Sequence, residues 1–138
     1  MVSSAIVDVI ANSLPGFTKG VDLFAESGSG DKFVVASVTG DNGVLQGASA
    51  VKFANVGLML YGYSMIDGMT YSRQITDLLR ETVNYSYDFV SANYNANSAY
   101  IIRYNIKTVK VETYPIHISS TGAFTANFLV GYSEDIIS

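Results

Sequence analysis

The chain contains no cysteine and no tryptophan, and only one histidine and two prolines occur among its 138 residues. The lack of cysteine excludes a disulfide framework, a thiolate metal site and a cysteine nucleophile. One histidine and twelve dispersed acidic residues also show no recognisable spacing of metal ligands. The sequence therefore predicts neither a metal site nor a bound cofactor.

Charged residues are scarce as well, at 14% of the chain, and the formal net charge is −4. This acidic balance argues against binding through nucleic-acid phosphates, which needs a basic surface. No apolar run approaches the roughly 18 residues of a membrane span, and the apolar N-terminus lacks the basic region of a signal peptide. We therefore expect a cytoplasmic protein with no membrane partner and no sequence-specific nucleic-acid partner.

Sequence patterns typical of catalysis are missing too. His117 has the hydroxyls of Ser119, Ser120 and Thr121 nearby, but residues so close along one segment do not easily form a catalytic triad. The Gly-x-Ser-x-Gly pattern of a nucleophile elbow does not occur. A phosphate loop requires a Lys-Ser/Thr pair and a helix directly after its glycines. Neither follows the glycine-rich residues 28–31. The sequence predicts a protein that is not an enzyme.

Two segments repeat apolar residues at helical spacing, and they predict helices over residues 3–14 and 69–83. The second helix is expected to place an Arg73–Asp77 ion pair on its exposed side. Its opposite side is expected to pack on a sheet through Tyr71, Ile75, Leu78 and Leu79.

Most of the remaining chain has strand patterns, which include a short strand before the glycine-rich loop and further strands over residues 32–39, 51–64, 85–91, 99–114 and from 124 onwards. We expect the third of these strands to be buried on both faces because it is almost continuously apolar. The Gly-Asp-Asn-Gly sequence at residues 40–43 predicts a turn, followed by an exposed loop over residues 44–50. The apolar alternation changes phase near Thr108, which predicts a β-bulge there.

The order of these elements is helix, two strands, long strand, helix and three strands. Helices separated from a run of strands indicate an α+β fold, with the helices packed on one face of a mainly antiparallel or mixed β-sheet. We find no linker or internal repeat, so residues 1–138 are expected to form a single domain.

Four segments follow one another in a recognisable series. They are the first helix with VDLFAESGSGDKFVVASVTGDNG, then VGLMLYGYSMIDGMTYSRQITDLLRE, SAYIIRYNIKTVKVETYPIHI and SSTGAFTANFLVGYSED. This series resembles the tail terminator (minor capsid-like) proteins of long-tailed bacteriophages over nearly the whole chain. The chain departs from that pattern in its Ser-Gly first loop and in residues 83–98, which are longer and richer in Tyr and Asn.

The resemblance implies a non-enzymatic virion protein that forms a ring, typically a hexamer, which ends the tail tube and joins the tail to the head. Its implied partners are further copies of itself, the tail-tube protein and a head-completion or connector protein, and the genome would pass through the ring. The implied location is the virion tail or neck, after synthesis in the host cytoplasm. Another head–tail joining or tail-tube protein is the alternative. A second alternative is a carbohydrate-binding module, which would use Tyr85, Tyr87, Tyr94 and Tyr100.

Two regions are candidates for contact with neighbouring subunits. Residues 115–122 are expected to form a loop, and this loop and the final strand are expected to lie at a subunit boundary. The candidate interface residues are Pro115, His117, Ser119, Thr125, Asn127, Tyr132 and Ser133. Two loops with few apolar anchors are expected to be mobile until they dock on neighbours. Their candidate docking residues are Glu26, Ser29, Asp31, Asn93, Tyr94 and Asn97.

Overall fold

The computed structural model describes residues 1–44, 51–91 and 100–137 of the chain. These residues form two helices and six strands, in the order that the sequence predicts. The elements are α1 (Val2–Ser13), β1 (Leu23–Ala25), β2 (Phe33–Val44), β3 (Lys52–Tyr61), α2 (Met65–Arg80), β4 (Tyr85–Ser91), β5 (Tyr100–Ile118) and β6 (Ala123–Ile137). The predicted α+β fold is confirmed.

The six strands form one curled sheet in the order β1-β2-β3-β6-β5-β4. The β1–β2 pair is parallel and all other pairs are antiparallel, so the sheet is mixed. β6 lies between β3 and β5, so from Phe124 to Tyr132 both of its edges carry ladder hydrogen bonds. Over this part of the strand, contact with another molecule would use a face and not an edge.

The core lies between the two helices and one face of the sheet. On β6 the predicted alternation is confirmed, because Phe124, Ala126, Phe128, Val130 and Tyr132 are all buried. Helix α1 contacts β1 and β2 at one side of the sheet and β4 and β5 at the other. The curled sheet thus wraps around α1, which explains why seven of the twelve residues of this helix are buried.

The predicted bulge near Thr108 is confirmed. The pairing of β5 with β6 shifts register between Ile106 and Thr108. Ile106 is fully buried and Val109 is 8% exposed, so both side chains face the core although three positions separate them. Because the bulge contains an extra residue, the apolar residues before it and those after it face the same side of the sheet, although one group has even and the other odd numbers.

Three expectations for the strands are wrong. Residues 40–43 do not form a turn, because β2 continues through them to Val44. The pairing of β2 with β3 shifts register twice in this glycine- and asparagine-rich segment, which therefore forms bulges. Strand β3 is fully buried on one face only and half-buried on the other. Residues 115–118 are not a loop but the end of β5. A register shift between Thr113 and Ile116 accommodates Pro115, which has no amide hydrogen for the ladder. Of the predicted loop at residues 44–50, residues 45–50 lie outside the described residues.

Helix α2 begins at Met65, four residues before the predicted start, because Ser64 caps it: its hydroxyl accepts a hydrogen bond from the amide of Asp67 at 3.1 Å. Asp77 pairs with Arg80 at 3.6 Å and not with Arg73, so the predicted ion pair is wrong. On the packed face, Ile75 and Leu79 are fully buried, whereas Tyr71 and Leu78 lie half-buried at its border.

A polar cluster joins α1 to β4. The Tyr85 hydroxyl donates to Oδ2 of Asp8 at 2.5 Å, and Asn12 Nδ2 lies 2.7 Å from the same hydroxyl. Lys19 pairs with the other carboxylate oxygen of Asp8 and lies over the ring of Tyr87. Burial, followed by the hydrogen bond to Asp8, raises the pKa of Tyr85. The cluster therefore holds the hydroxyl protonated, as a donor that anchors the helix.

We expect Tyr85→Phe to lower the free energy of unfolding by about 0.5–1.5 kcal/mol, the usual net contribution of one hydrogen bond. Tyr87→Phe is the matched control, because it retains the ring beneath Lys19. Urea titration followed by circular dichroism measures both. Equal losses in the two variants would show that the hydroxyl–Asp8 bond contributes nothing specific.

Candidate subunit interface

The face of the sheet opposite the helices, here called the outer face, is not covered by any element in the described part of the chain. Its residues follow from the strand register, because alternate positions of a strand point to opposite faces. Across β3 and β6, for example, Met59 lies beside Thr125 and Gly57 beside Asn127. These residues are only half-buried, apart from the glycine, whereas their neighbours in the strand are buried in the core.

One row of the outer face is mainly apolar and crosses five strands. This apolar row consists of Phe24, Val35, Met59, Thr125 and Ile116, in the order in which the strands lie in the sheet. Ile116 is 52% exposed. Beside the row, the rings of Phe33 and Tyr61 stack with their centroids 4.9 Å apart. Val35 is 7% exposed, and Phe24, Met59 and Thr125 are half-buried. A partly exposed apolar row of this kind suits contact with another molecule.

The next row across the sheet is polar and contains Ser37, Gly57, Asn127 and Thr113. A shallow cavity of about 360 Å³ lies beside this row. The lining residues are Thr39, Asn55, Glu112, Thr113 and Asn127. Amide and hydroxyl groups next to an apolar row are the combination that protein–protein interfaces use for packing and orientation.

The loop at residues 26–31 contacts the rest of the chain at three points. The carboxylate of Glu26 accepts a hydrogen bond from the Val38 amide at 2.9 Å. The Cα of Gly28 lies so close to the Phe24 ring that a Cβ atom would come within 2.6 Å of it. The backbone of Asp31 packs still more closely on Gly62. The loop therefore forms a border of the apolar row, with Ser29 exposed.

The structure brings part of the predicted interface together. Thr125 and Asn127 lie on the outer face, and Ser119 is exposed in the turn at residues 119–122. That turn and the loop at residues 26–31 lie at the same end of the sheet, since β6 begins where β3 ends. Ser133 lies farther along the outer face, opposite Asn105.

Other predicted residues lie elsewhere. Tyr132 is 5% exposed and belongs to the core, so its side chain is not available to a neighbour. His117 lies on the helix side, where its ring is 4.9 Å from that of Phe124. Pro115 and Tyr114 line a cavity against α2. Asn93, Tyr94 and Asn97 are outside the described residues.

At the far end of the outer face the side chains are charged. Arg103 donates two hydrogen bonds to the carboxylate of Asp88, at 2.7 and 3.0 Å, and Asp135 lies opposite Arg103 on β6. The bond from Arg103 keeps the pKa of Asp88 below its usual value, and Asp88 raises the pKa of Arg103. The outer face thus changes from apolar at one end to charged at the other, which would give a partner a defined orientation.

The apolar row cannot be predicted from the sequence, because its members come from five separate strands. The alternation of Thr125 and Asn127 within β6 predicts which residues share a face of that strand, but only the register places Ile116 and Met59 beside Thr125. The proposed tyrosine cluster is different. Tyr85 and Tyr87 pack against the core at α1, and the side chains of Tyr94 and Tyr100 lie outside the described residues.

Within the described ranges, no three His, Cys, Asp or Glu residues group as metal ligands, and neither helix is long and apolar enough to span a membrane. No protein-family model matches the chain, and no curated protein sequence matches it.

Proposed function

We propose that this chain is a non-enzymatic structural subunit that assembles into a ring, and that the ring is a tail terminator of a long-tailed bacteriophage. In this role six copies would end the tail tube and join it to the head. The partners would be further copies of the chain, the tail-tube protein and a head-completion or connector protein. The proposed location is the tail or neck of the virion.

The observation that carries this proposal is the outer face with its apolar row, which no helix or strand among the described residues covers. A six-stranded sheet that buries one face against helices and leaves a mixed apolar and polar face open is suited to a second protein layer. The composition points the same way, because 49% of the residues are apolar and only 14% are charged. The assignment to a tail terminator, in preference to another neck or tube protein, comes from the four sequence segments described above.

The proposal is tested by the size of the purified protein in solution and by its effect on tail tubes. Analytical ultracentrifugation combined with negative-stain microscopy is expected to give closed rings of about six copies, and these rings should cap polymerised tube protein at one end. A chain that remains monomeric at high concentration and does not bind tubes would overturn the proposal. Rings that stack into tubes by themselves would favour the alternative of a tail-tube protein.

A single charge on the apolar row should prevent assembly. Thr125→Lys places an ammonium group between Met59 and Ile116, and burying an unpaired charge in an interface costs far more than an exposed ion pair contributes. We expect monomers at concentrations at which the wild type forms rings, with an unchanged circular dichroism spectrum.

Gln74→Lys is the matched control, since Gln74 is exposed on α2 in the opposite layer. Ser119→Asp tests the turn at residues 119–122 in the same way. Intact Thr125→Lys rings would move the interface away from the apolar row, and intact Ser119→Asp rings would remove only the turn from it.

A further inference from the structure

A cavity of about 220 Å³ lies on the helix side of the molecule, away from the outer face. It is formed where the segment after α1, the residue before β2, the connection from β3 to α2 and the first turns of α2 meet. Its lining residues are Gly16, Phe17, Asp22, Lys32, Tyr63, Asp67 and Tyr71. The volume corresponds to on the order of ten water molecules, which is enough for the head group of one side chain.

Three aromatic rings line this cavity. The ring of Tyr71 lies 5.5 Å from that of Phe17 and 5.6 Å from that of Tyr63, and the ring planes meet at 84° and 75°. The trio therefore forms a corner and not a stack, so that ring faces point in more than one direction. The face of an aromatic ring carries negative charge density and attracts a cation that is placed over it.

Two carboxylates complete the cavity. Asp22 is held in place by the amide of Thr18, which donates to its Oδ1 at 2.7 Å. Asp67 lies in the first turn of α2. Burial, followed by the negative charge of Asp22 and by the neighbouring Tyr71, raises the pKa of Tyr63 to about 12. Burial alone disfavours a charge of either sign, so it is the two lining carboxylates that favour a cation over an anion here.

Lys32 is the one cationic group among the lining residues, and its side chain is exposed. Two carboxylates against one lysine leave the lining with a formal charge of −1. The overall charge of the chain, −4, has the same sign. A positively charged ligand therefore meets favourable charge both in the cavity and around it.

We propose that the cavity is a receptor for one basic side chain, an arginine or lysine, of a neighbouring protein molecule. The rings of Phe17, Tyr63 and Tyr71 surround the cationic head group, and the carboxylates of Asp22 and Asp67 neutralise it. This ligand chemistry follows from the cavity itself. Only the assignment of this side chain to a second copy of the chain rests on the proposed ring.

The ligand chemistry is tested by nuclear magnetic resonance titration of the wild-type protein with Nα-acetyl-arginine amide, observed at the tyrosine ring resonances. The neutral Nα-acetyl-citrulline amide has nearly the same shape and serves as the ligand control. We expect saturable shifts of the Tyr63 and Tyr71 resonances with the arginine compound only. Equal shifts with both compounds, or no saturable shift with either, would overturn the proposal.

The protein variant for this test is Asp22→Asn/Asp67→Asn, because asparagine keeps the shape of both side chains and the Oδ1 acceptor for Thr18. Its affinity for the arginine compound is expected to fall at least fivefold. Glu81→Gln removes an exposed carboxylate outside the cavity and should bind like the wild type. If the double variant is misfolded in its amide spectrum, the two single variants replace it. Unchanged affinity in correctly folded variants would contradict the role of the carboxylates.

Sedimentation of the same variants identifies the source of the basic side chain. Rings that weaken in the double variant but not in Glu81→Gln assign the side chain to a second copy. Rings that persist while arginine binding is lost assign it to a different protein. If the wild type forms no rings but binds the arginine compound, the proposed ring fails and the receptor site stands.

Discussion

Leu79→Ala is expected to lower the free energy of unfolding by about 2–5 kcal/mol, the usual cost of a leucine-to-alanine change in a core. Leu79 is fully buried on the face of α2 that packs against the sheet. The change removes buried methyl groups and leaves a cavity, because the surrounding structure relaxes only partially. Urea unfolding monitored by circular dichroism gives the free energy directly.

Leu78→Ala is the matched control, with the same atoms removed from the adjacent position. Leu78 only borders the core, so we expect a clearly smaller loss. Losses of equal size would mean that α2 is rotated about its axis relative to the packing described above. A loss below about half a kcal/mol for Leu79→Ala, typical of surface positions, would mean that α2 does not pack on the sheet through this face.

Gly68→Ala is expected to destabilise the protein by about 1–3 kcal/mol, the usual range for an overpacked core. At an unconstrained helix position this change would be stabilising by up to about 1 kcal/mol. In α2, however, the added Cβ would lie 2.0 Å from Cε2 of Phe124. The Phe124 ring is fully buried and contacts the ring of His117, so it has little room to move. The clash should therefore outweigh the gain in helix propensity.

Two comparisons make this expectation specific. Gly16→Ala introduces the same methyl group where no atom lies within 4 Å, and it should have little effect. Phe124→Leu removes the ring atoms that the new methyl group meets. A double-mutant cycle of Gly68→Ala with Phe124→Leu should therefore give a favourable coupling energy. Additive effects of the two substitutions would show that the clash is relieved elsewhere, for instance by a shift of α2.

Local patterns predict much of this fold because each needs only a few neighbouring residues. The alternation of β6 from Phe124 to Tyr132 and the change of phase near Thr108 each report which side chains must be buried, and burial confirms both. The helix that contains Ile75 and Leu79 is predicted for the same reason. Where the local chemistry is ambiguous, the prediction fails. Glycine and asparagine at residues 40–43 suit a turn and a pair of bulges equally well, and only the pairing with β3 selects the bulges.

The residue pattern alone specifies the class of fold, the order of the elements and which alternate residues of each core strand face inward. These features depend on the burial of apolar residues that are close along the chain. Tertiary structure alone decided that β6 lies in the centre of the sheet, with Thr125 between Met59 and Ile116. It also brought Phe17, Tyr63 and Tyr71 together from three separate segments. Strand order and register depend on pairings between residues far apart in sequence, and no local pattern specifies which strand a given strand will meet.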